Sequence, residues 1–445
     1  MKNLFNQKQL LFIMENGKPE KKENDSKTTF PKEELAQKIK RKIWKDVYIR
    51  VVAIFYFFQG FYQAGEALYI TKFLTDFAGF EYDRIALITT LVNIPLFLKM
   101  FIGLISDRVP LGKLGRRRPY ILIGSLAYIP IFTYMSTLKD YNPTWLILLV
   151  SGKFAWVLVD CTLDALTVDI TPLEKMGKLQ GSGAGGRMFG MAVSTLVISS
   201  IGSAVGWDKA ILTIGIIGAM QMVGAIFLKE SEELYKEPSP LTKVLKKTFS
   251  SPRYWYGFIF AAVFISLGGV YNLGTAYLKK DLGVSDLKLG YVAFIFGLTA
   301  ALGAVISGFM CDKYGTKKVV KFLSISHWIL ILPWIFVRND SSAFLVYLSA
   351  ATIGLSYGAL RPPTYRISME LCPPEIEGFM FSTLMSFANI GDFAIAVQIV
   401  GLFTNYIHIT YAFYTLIPMA IIAVLILPKL DVWEPDKSKD GKNGK

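Results

Sequence analysis

The stretch Gly308-Phe309-Met310-Cys311-Asp312-Lys313-Tyr314-Gly315-Thr316-Lys317-Lys318 ends a long apolar run with an acid, a glycine turn and three lysines. About 200 residues earlier the chain reads Gly103-Leu104-Ile105-Ser106-Asp107-Arg108, and after an insertion around Pro110–Leu114 continues as Gly115-Arg116-Arg117-Arg118. A second pair keeps the same offset. Asp169-Ile170-Thr171-Pro172-Leu173-Glu174-Lys175-Met176-Gly177 corresponds to Glu370-Leu371-Cys372-Pro373-Pro374-Glu375-Ile376-Glu377-Gly378. Glycine lets the chain reverse at Gly115 and Gly315 without a side chain in the way. Asp107 and Asp312 can accept bonds from backbone groups or from neighbouring cations. Two repeats in tandem imply two related halves, set about an axis along a membrane normal.

Composition supports that frame. Of 445 residues, 53% are hydrophobic and 18% charged, and mean hydropathy is +0.41; soluble domains carry roughly 25% charge. Apolar runs of the roughly 20 residues needed to cross a bilayer recur from Val47 to Leu427. We place spans near 47–70, 85–106, 119–137, 145–168, 180–205, 209–228, 254–278, 288–311, 319–337, 342–368, 380–403 and 410–428. The expected fold is all-α and polytopic, with twelve transmembrane helices in two pseudo-symmetric six-helix bundles, 47–228 and 254–428. A tail over 1–46, a linker over 229–253 and a tail over 429–445 flank them. The net charge of +14 is distributed as topology-fixing charge rather than as a nucleic-acid surface. With the N-terminus inside, roughly 34 Lys and Arg are cytoplasmic and roughly 8 external, so both termini and the linker are expected in the cytoplasm.

Other classes find little support. No cleavable signal peptide is evident. The lysine-rich residues 1–29 read as a partly disordered tail, and Phe30 through Trp44 can form an amphipathic surface helix. Cys161, Cys311 and Cys372 are scattered, without the spacing of a metal site or disulfide framework. His327 and His408 lie far apart, and His327 reads as a packing residue. No enzyme activity, cofactor or metal is expected, because no nucleophile–base arrangement appears.

The loop motif resembles the signature of the major facilitator superfamily, Gly-x-x-x-Asp-(Arg/Lys)-x-Gly-x-(Arg/Lys)-(Arg/Lys). The second copy matches at Gly308, Asp312, Lys313, Gly315, Lys317 and Lys318; the first, stretched by its insertion, supplies Gly103, Asp107, Arg108, Gly115, Arg117 and Arg118. The resemblance implies a latch on the inner gate, with Asp169 and Glu370 as partners for its cations, and a cavity lined by spans 1, 4, 7 and 10. The run Ser106 to Pro110 with Gly115 to Tyr120, preceded by Lys99, is similar to folate–biopterin transporters. Gly-Arg-Arg-Arg-Pro also resembles glycoside–cation symporters and plant sucrose carriers. In sodium-coupled melibiose-type members, aspartates stand at the places that Lys99 and Pro95 hold here, which argues against sodium coupling.

Ionisable side chains inside the bilayer are costly and mark functional sites by default. At 1.5 Å per residue, Lys99, Asp160, Arg187 and Arg361 lie about 12–13 Å from the cytoplasmic surface and Asp392 roughly 18 Å. Spans 4 and 5 bring Asp160 to Arg187; spans 10 and 11 bring Arg361 to Asp392, with the signs reversed. Asp164 sits one turn below Asp160, within reach of Arg187 or Lys99. Gln59, Gln63 and Glu66 share a face of span 1, Trp156 a face with Asp160, and Tyr357 and Tyr365 a face with Arg361. Tyr271 and Asn272 adjoin a bend at Gly268-Gly269, and Lys153 either faces the cavity or reaches outward. Gly181-Ser182-Gly183-Ala184-Gly185-Gly186 reads as a close-packing surface, and Pro362-Pro363 as a break near Arg361.

These residues lead to the expectation of a secondary transporter for a small polar organic solute, monomeric in the bilayer and coupled to protons. Carboxylates at Asp160, Asp164, Asp392 and Glu66 are the candidate proton carriers. The alternatives are a sugar or glycoside–cation symporter and, in another class, a non-transporting sensor or assembly factor of the same fold.

Overall fold

The computed structural model describes residues 38–111, 114–138, 142–230, 240–372 and 377–430. The expectations for residues 1–37, 231–239 of the linker and 431–445 lie outside the described residues. Among the described residues no strand occurs, and each predicted span is helical.

Span 1 is Val47–Lys72, continued by a π-helical turn, Phe73–Phe77. Span 2 runs in three pieces: Tyr82–Val92, Ile94–Phe97 and Lys99–Arg108. Pro95 has no N–H to donate to the turn before it, so the predicted continuous helix breaks there. Spans 3, 4 and 5 are Arg118–Met135, Pro143–Ile170 and Leu173–Val205. Span 6 joins Trp207–Ala219 to Val223–Phe227. The linker contains a short helix, Leu241–Phe249.

Span 7 joins Pro252–Ile265 to Val270–Lys280 through a 3-10 turn at Ser266–Gly269, where Gly268-Gly269 predicts a bend. Span 8 is Asp286–Tyr314, and span 9 joins Thr316–Leu330 to Leu332–Ile335. Span 10 breaks between Ala343–Ala359 and Arg361–Glu370. Pro363 cannot donate to the Ala359 carbonyl, and Ser307 of span 8 donates to it instead at 2.7 Å. Span 11 joins Glu377–Ile390 to Ala396–Phe403 through a π-helical turn, Gly391–Ile395. Span 12 runs from Ile409–Ala412 to Ile417–Ile426.

Among the described residues nine helices are long and apolar enough to cross a membrane, and they cover spans 4 to 12. The first three predicted spans are helical but less uniformly apolar. Span 1 carries four tyrosines with Gln59, Gln63 and Glu66, span 2 is broken, and span 3 opens on Arg118-Pro119. Large apolar side chains such as Phe309, Ile325, Phe344 and Leu425 are exposed. A water-soluble protein rarely leaves so much apolar surface open, whereas lipid accepts it.

Packing follows the repeat. Span 1 lies along span 5 as span 7 lies along span 11; span 2 touches span 4 as span 8 touches span 10. Spans 5 and 8 meet across the middle of the molecule, and so do spans 2 and 11. Adding six to both numbers of a pair, counted around twelve, gives the equivalent pair.

Candidate functional site

Asp160 of span 4, 3% exposed at its side chain, collects three donors. Lys99 of span 2 reaches Oδ2 at 2.5 Å; Arg187 of span 5 and the Gln59 amide of span 1 reach Oδ1 at 2.8 and 2.7 Å. Gln59 in turn accepts from Arg187, so four helices converge on one carboxylate. Asp164 accepts from the Tyr56 hydroxyl and, at 3.5 Å, from Lys99. It is 40% exposed and lies one turn nearer the loop motif than Asp160. The Arg187 guanidinium stacks 4.9 Å from the Tyr56 ring and 6.0 Å from Trp156, and remains 25% exposed.

The equivalent hairpin of spans 10 and 11 is built differently. Arg361, 23% exposed, lies 3.3 Å from Oδ2 of Asp392, which is 2% exposed. Tyr357 accepts from Arg361 and donates to the same Oδ2 at 3.4 Å, with the guanidinium 4.4 Å from its ring. Oδ1 of Asp392 is buried without a hydrogen-bond partner among the described residues. Tyr365 of span 10 interacts electrostatically with both Arg187 and Arg361. Tyr271 stacks on Phe296 at 3.9 Å and leans towards Tyr357 at 6.2 Å.

Thus Lys99, Asp160, Asp164 and Arg187 form one hydrogen-bonded cluster, and Arg361, Asp392 and Tyr357 another. Gln63 is half-buried without a hydrogen bond to either among the described residues. The side chain of Asn272 lies outside the described residues.

Sequence reasoning missed Tyr56, which lies three residues before Gln59 on the same helix. It also left Lys153 open: the side chain is buried in an ion pair with Glu66, whose other oxygen accepts from Tyr62 at 2.8 Å. His327 is a packing residue, with Nδ1 2.6 Å from Ser356 of span 10.

At the loop motif, Gly115 and Gly315 both take positive φ, +106° and +90°. Arg117 pairs with Asp169 at 2.7 Å, and Arg118 donates to the Ala225 carbonyl at 2.6 Å. The Glu230 carboxylate, with no counterpart in the sequence reading, accepts from the backbone N–H groups of Arg116, Arg117 and Arg118 at 2.7–2.8 Å. It thereby occupies the positive N-terminus of span 3. Arg108 donates to Leu104 O at 3.3 Å.

In the second copy Lys313 lies 5.2 Å from the Tyr314 ring, Lys318 is exposed and Lys317 half-buried, and Glu370 accepts from Arg366 at 3.3 Å. The side chains of Asp107 and Asp312 lie outside the described residues. A Cβ at Gly103 would stand 3.4 Å from Ser382 of span 11, whereas at Gly308 it would meet open space.

Comparison with known proteins agrees with this architecture. The family model described as Major Facilitator Superfamily matches residues 10–195, 52–278 and 259–445. "Putative transporter AmpG 2" of Rickettsia typhi is 24% identical over 375 residues, 78% of this chain and 88% of that protein. The "Folate-biopterin transporter" of Synechocystis is 23% identical over 381 residues, 80% of this chain and 74% of that one. Among solved structures, the nucleoside transporter NupG superposes with TM-score 0.63 at 13% identity, covering 87% of this chain and all of that one. A D-xylose-proton symporter gives 0.65 at 15% identity, covering 87% and 98%. A family match along nearly the whole chain, on a helical membrane fold with two copies of the loop motif, shows that the chain belongs to the Major Facilitator Superfamily.

Proposed function

We propose that this chain is a secondary active transporter that moves a small polar organic solute, with protons as the coupling ion, by rocking residues 47–228 against 254–428. The observation that carries the reading is the pair of arginines, Arg187 and Arg361, one from each six-span half. Each is bound to a buried carboxylate yet keeps part of its own side chain exposed. A charged group kept at bilayer depth with an open edge is suited to a polar ligand. Two guanidinium groups favour a solute with a carboxylate or phosphate. Lys99 already gives Asp160 and Asp164 the monovalent charge that a coupling sodium would bring. In this reading the protein acts as a monomer in the cell membrane, and the cation bias supports cytoplasmic termini. Sugar or glycoside transport is the second reading, favoured by the aromatic faces of Trp156 and Tyr357 against the arginines, with Tyr271 beside Tyr357.

Purified protein in liposomes, given an imposed pH gradient and radiolabelled panels of organic anions and sugars, tests both readings. Gradient-driven accumulation of an anion, collapsed by a protonophore and abolished in Asp160→Asn and Arg361→Gln, is the expected result. Uptake indifferent to the gradient removes proton coupling, and full transport by both variants removes the site.

A further inference from the structure

The four acidic residues inside the bundle are not equally satisfied. Asp160 has donors on both oxygens, Gln59 and Arg187 on one and Lys99 on the other. Asp164 has Tyr56 on one and Lys99 on the other. Glu66 has Tyr62 on one and Lys153 on the other. Asp392 differs: its two donors, at 3.3 and 3.4 Å, share Oδ2, while Oδ1 is buried with none among the described residues.

An ionised carboxylate with a buried, unpartnered oxygen is costly to hold, and a neutral carboxyl group much less so. Arg361, by contrast, stays charged throughout. Its guanidinium is also supported by Tyr357 on its face and keeps an open edge, so it does not depend on Asp392 for its position.

We propose that Asp392 is the proton carrier of the transport cycle and that its protonation hands Arg361 to a carboxylate of the solute. The assignment rests on the transport reading above and names the group that performs the coupling. One proton adds to an oxygen of Asp392 and cancels its charge. Arg361 is then left one positive charge in excess, and one substrate carboxylate neutralises it. Charge balances only when proton and anion are present together, and the anion leaves when the proton does. Arg361 and Tyr357 of span 10 face Asp392 directly, with Tyr365 and Tyr271 next to them. Spans 2 and 7 pack on the same turn of span 11 with Thr90, Ala262 and Gly269, none of which titrates. The repeat-related Asp160, held by two cations and an amide, has no comparable freedom and remains a fixed anion.

Infrared difference spectroscopy on the full chain in liposomes, taken from mildly alkaline to mildly acidic medium, reads the proton directly. A protonated-carboxyl band is expected in the wild type and in Asp160→Asn, and is expected to vanish in Asp392→Asn. Where Asp392→Asn does not fold, Asp392→Glu gives the same readout as a displaced band. Absence of the band from the wild type, or its persistence in Asp392→Asn, overturns the assignment. Benzoate, a small flat carboxylate, probes the second half through the melting temperature. Its affinity should rise by about tenfold per pH unit lowered in the wild type, as one co-bound proton requires, and lose that dependence in Asp392→Asn. No benzoate effect, or one independent of pH in the wild type, overturns the transfer of Arg361. The infrared measurement needs no transport, so a lack of gradient-driven uptake removes the transport reading alone and a missing band removes this assignment alone.

Discussion

At the scale of single residues, the Glu66–Lys153 pair shows how a charge survives in the bundle. Both side chains are buried, each is the other's counter-ion, and Tyr62 occupies the remaining oxygen. Removing one partner of such a pair leaves an uncompensated charge and costs about 3–5 kcal/mol, whereas replacing both with apolar groups of similar size is often nearly neutral. Glu66→Gln and Lys153→Met are therefore each expected to lower thermal stability in detergent by about 3 kcal/mol. The double variant Glu66→Leu with Lys153→Met should recover most of it. Single variants that melt like the wild type would show that water, not the partner, satisfies these groups. That Glu66 needs a partner is legible in the sequence, since lipid leaves an ion few options. The identity of the partner is not legible, because it depends on the relative height and rotation of spans 1 and 4. The same holds for Glu230, whose approach to three backbone N–H groups depends on the path of the chain after span 6.

At the scale of elements, the contact between spans 1 and 5 is made by missing side chains. A Cβ at Gly186 would stand 2.2 Å from the Ala53 carbonyl oxygen, one at Gly190 1.9 Å from that of Phe57, and one at Gly60 2.0 Å from that of Arg187. Backbones this close also set the depth of Arg187, because Gly60 faces the backbone of that residue. The glycine-rich run at 181–186 announces close packing, but only in part correctly: Gly186 and Gly183 face span 1, while Gly185 faces open space. Helical periodicity assigns the face, and the sequence composition alone does not say which glycine lies at the contact. Gly190→Ala should thus destabilise by about 1–3 kcal/mol, the usual cost of overpacking, and shift Arg187 enough to impair uptake. Gly185→Ala should leave both unchanged. Melting temperature and liposome uptake of the two variants decide, and equal effects would refute the face assignment.

At the scale of the whole molecule, the first and last six spans are joined most firmly on the face opposite the loop motif. There Lys72 and Asp76 of the first six meet Lys279 and Asp286 of the last six. Lys72 lies 3.1 Å from Asp286 and Lys279 lies 3.2 Å from Asp76, and Asp286 also accepts from Trp207 of span 6 at 2.9 Å. Lys280 adds a bond to Glu81 at 2.6 Å. Gly290 of span 8 is tight against Ser199 of span 5 near this face, whereas Gly308, near the loop motif, faces open space. Asp164, on the loop-motif side of Asp160, is correspondingly the exposed carboxylate of its cluster. The rocking proposed above, opening towards the opposite face, would have to break the four-charge cluster. A single exposed ion pair contributes little, roughly 0.2–1 kcal/mol, but these four charges alternate in sign and are half-buried, and a bias of a few kcal/mol is enough to decide which conformation dominates. Asp286→Asn removes the negative charge shared by Lys72 and Lys279 and one of the two oxygens that they and Trp207 use. With spin labels at Arg84 and Lys288, outside the cluster, and Cys161, Cys311 and Cys372 replaced by serine, this variant should populate longer interlabel distances than its parent. High salt should move the parent in the same direction. A distance distribution unchanged by both Asp286→Asn and salt would mean that the helix contacts of spans 5 with 8 and 2 with 11, rather than charge, keep this face shut.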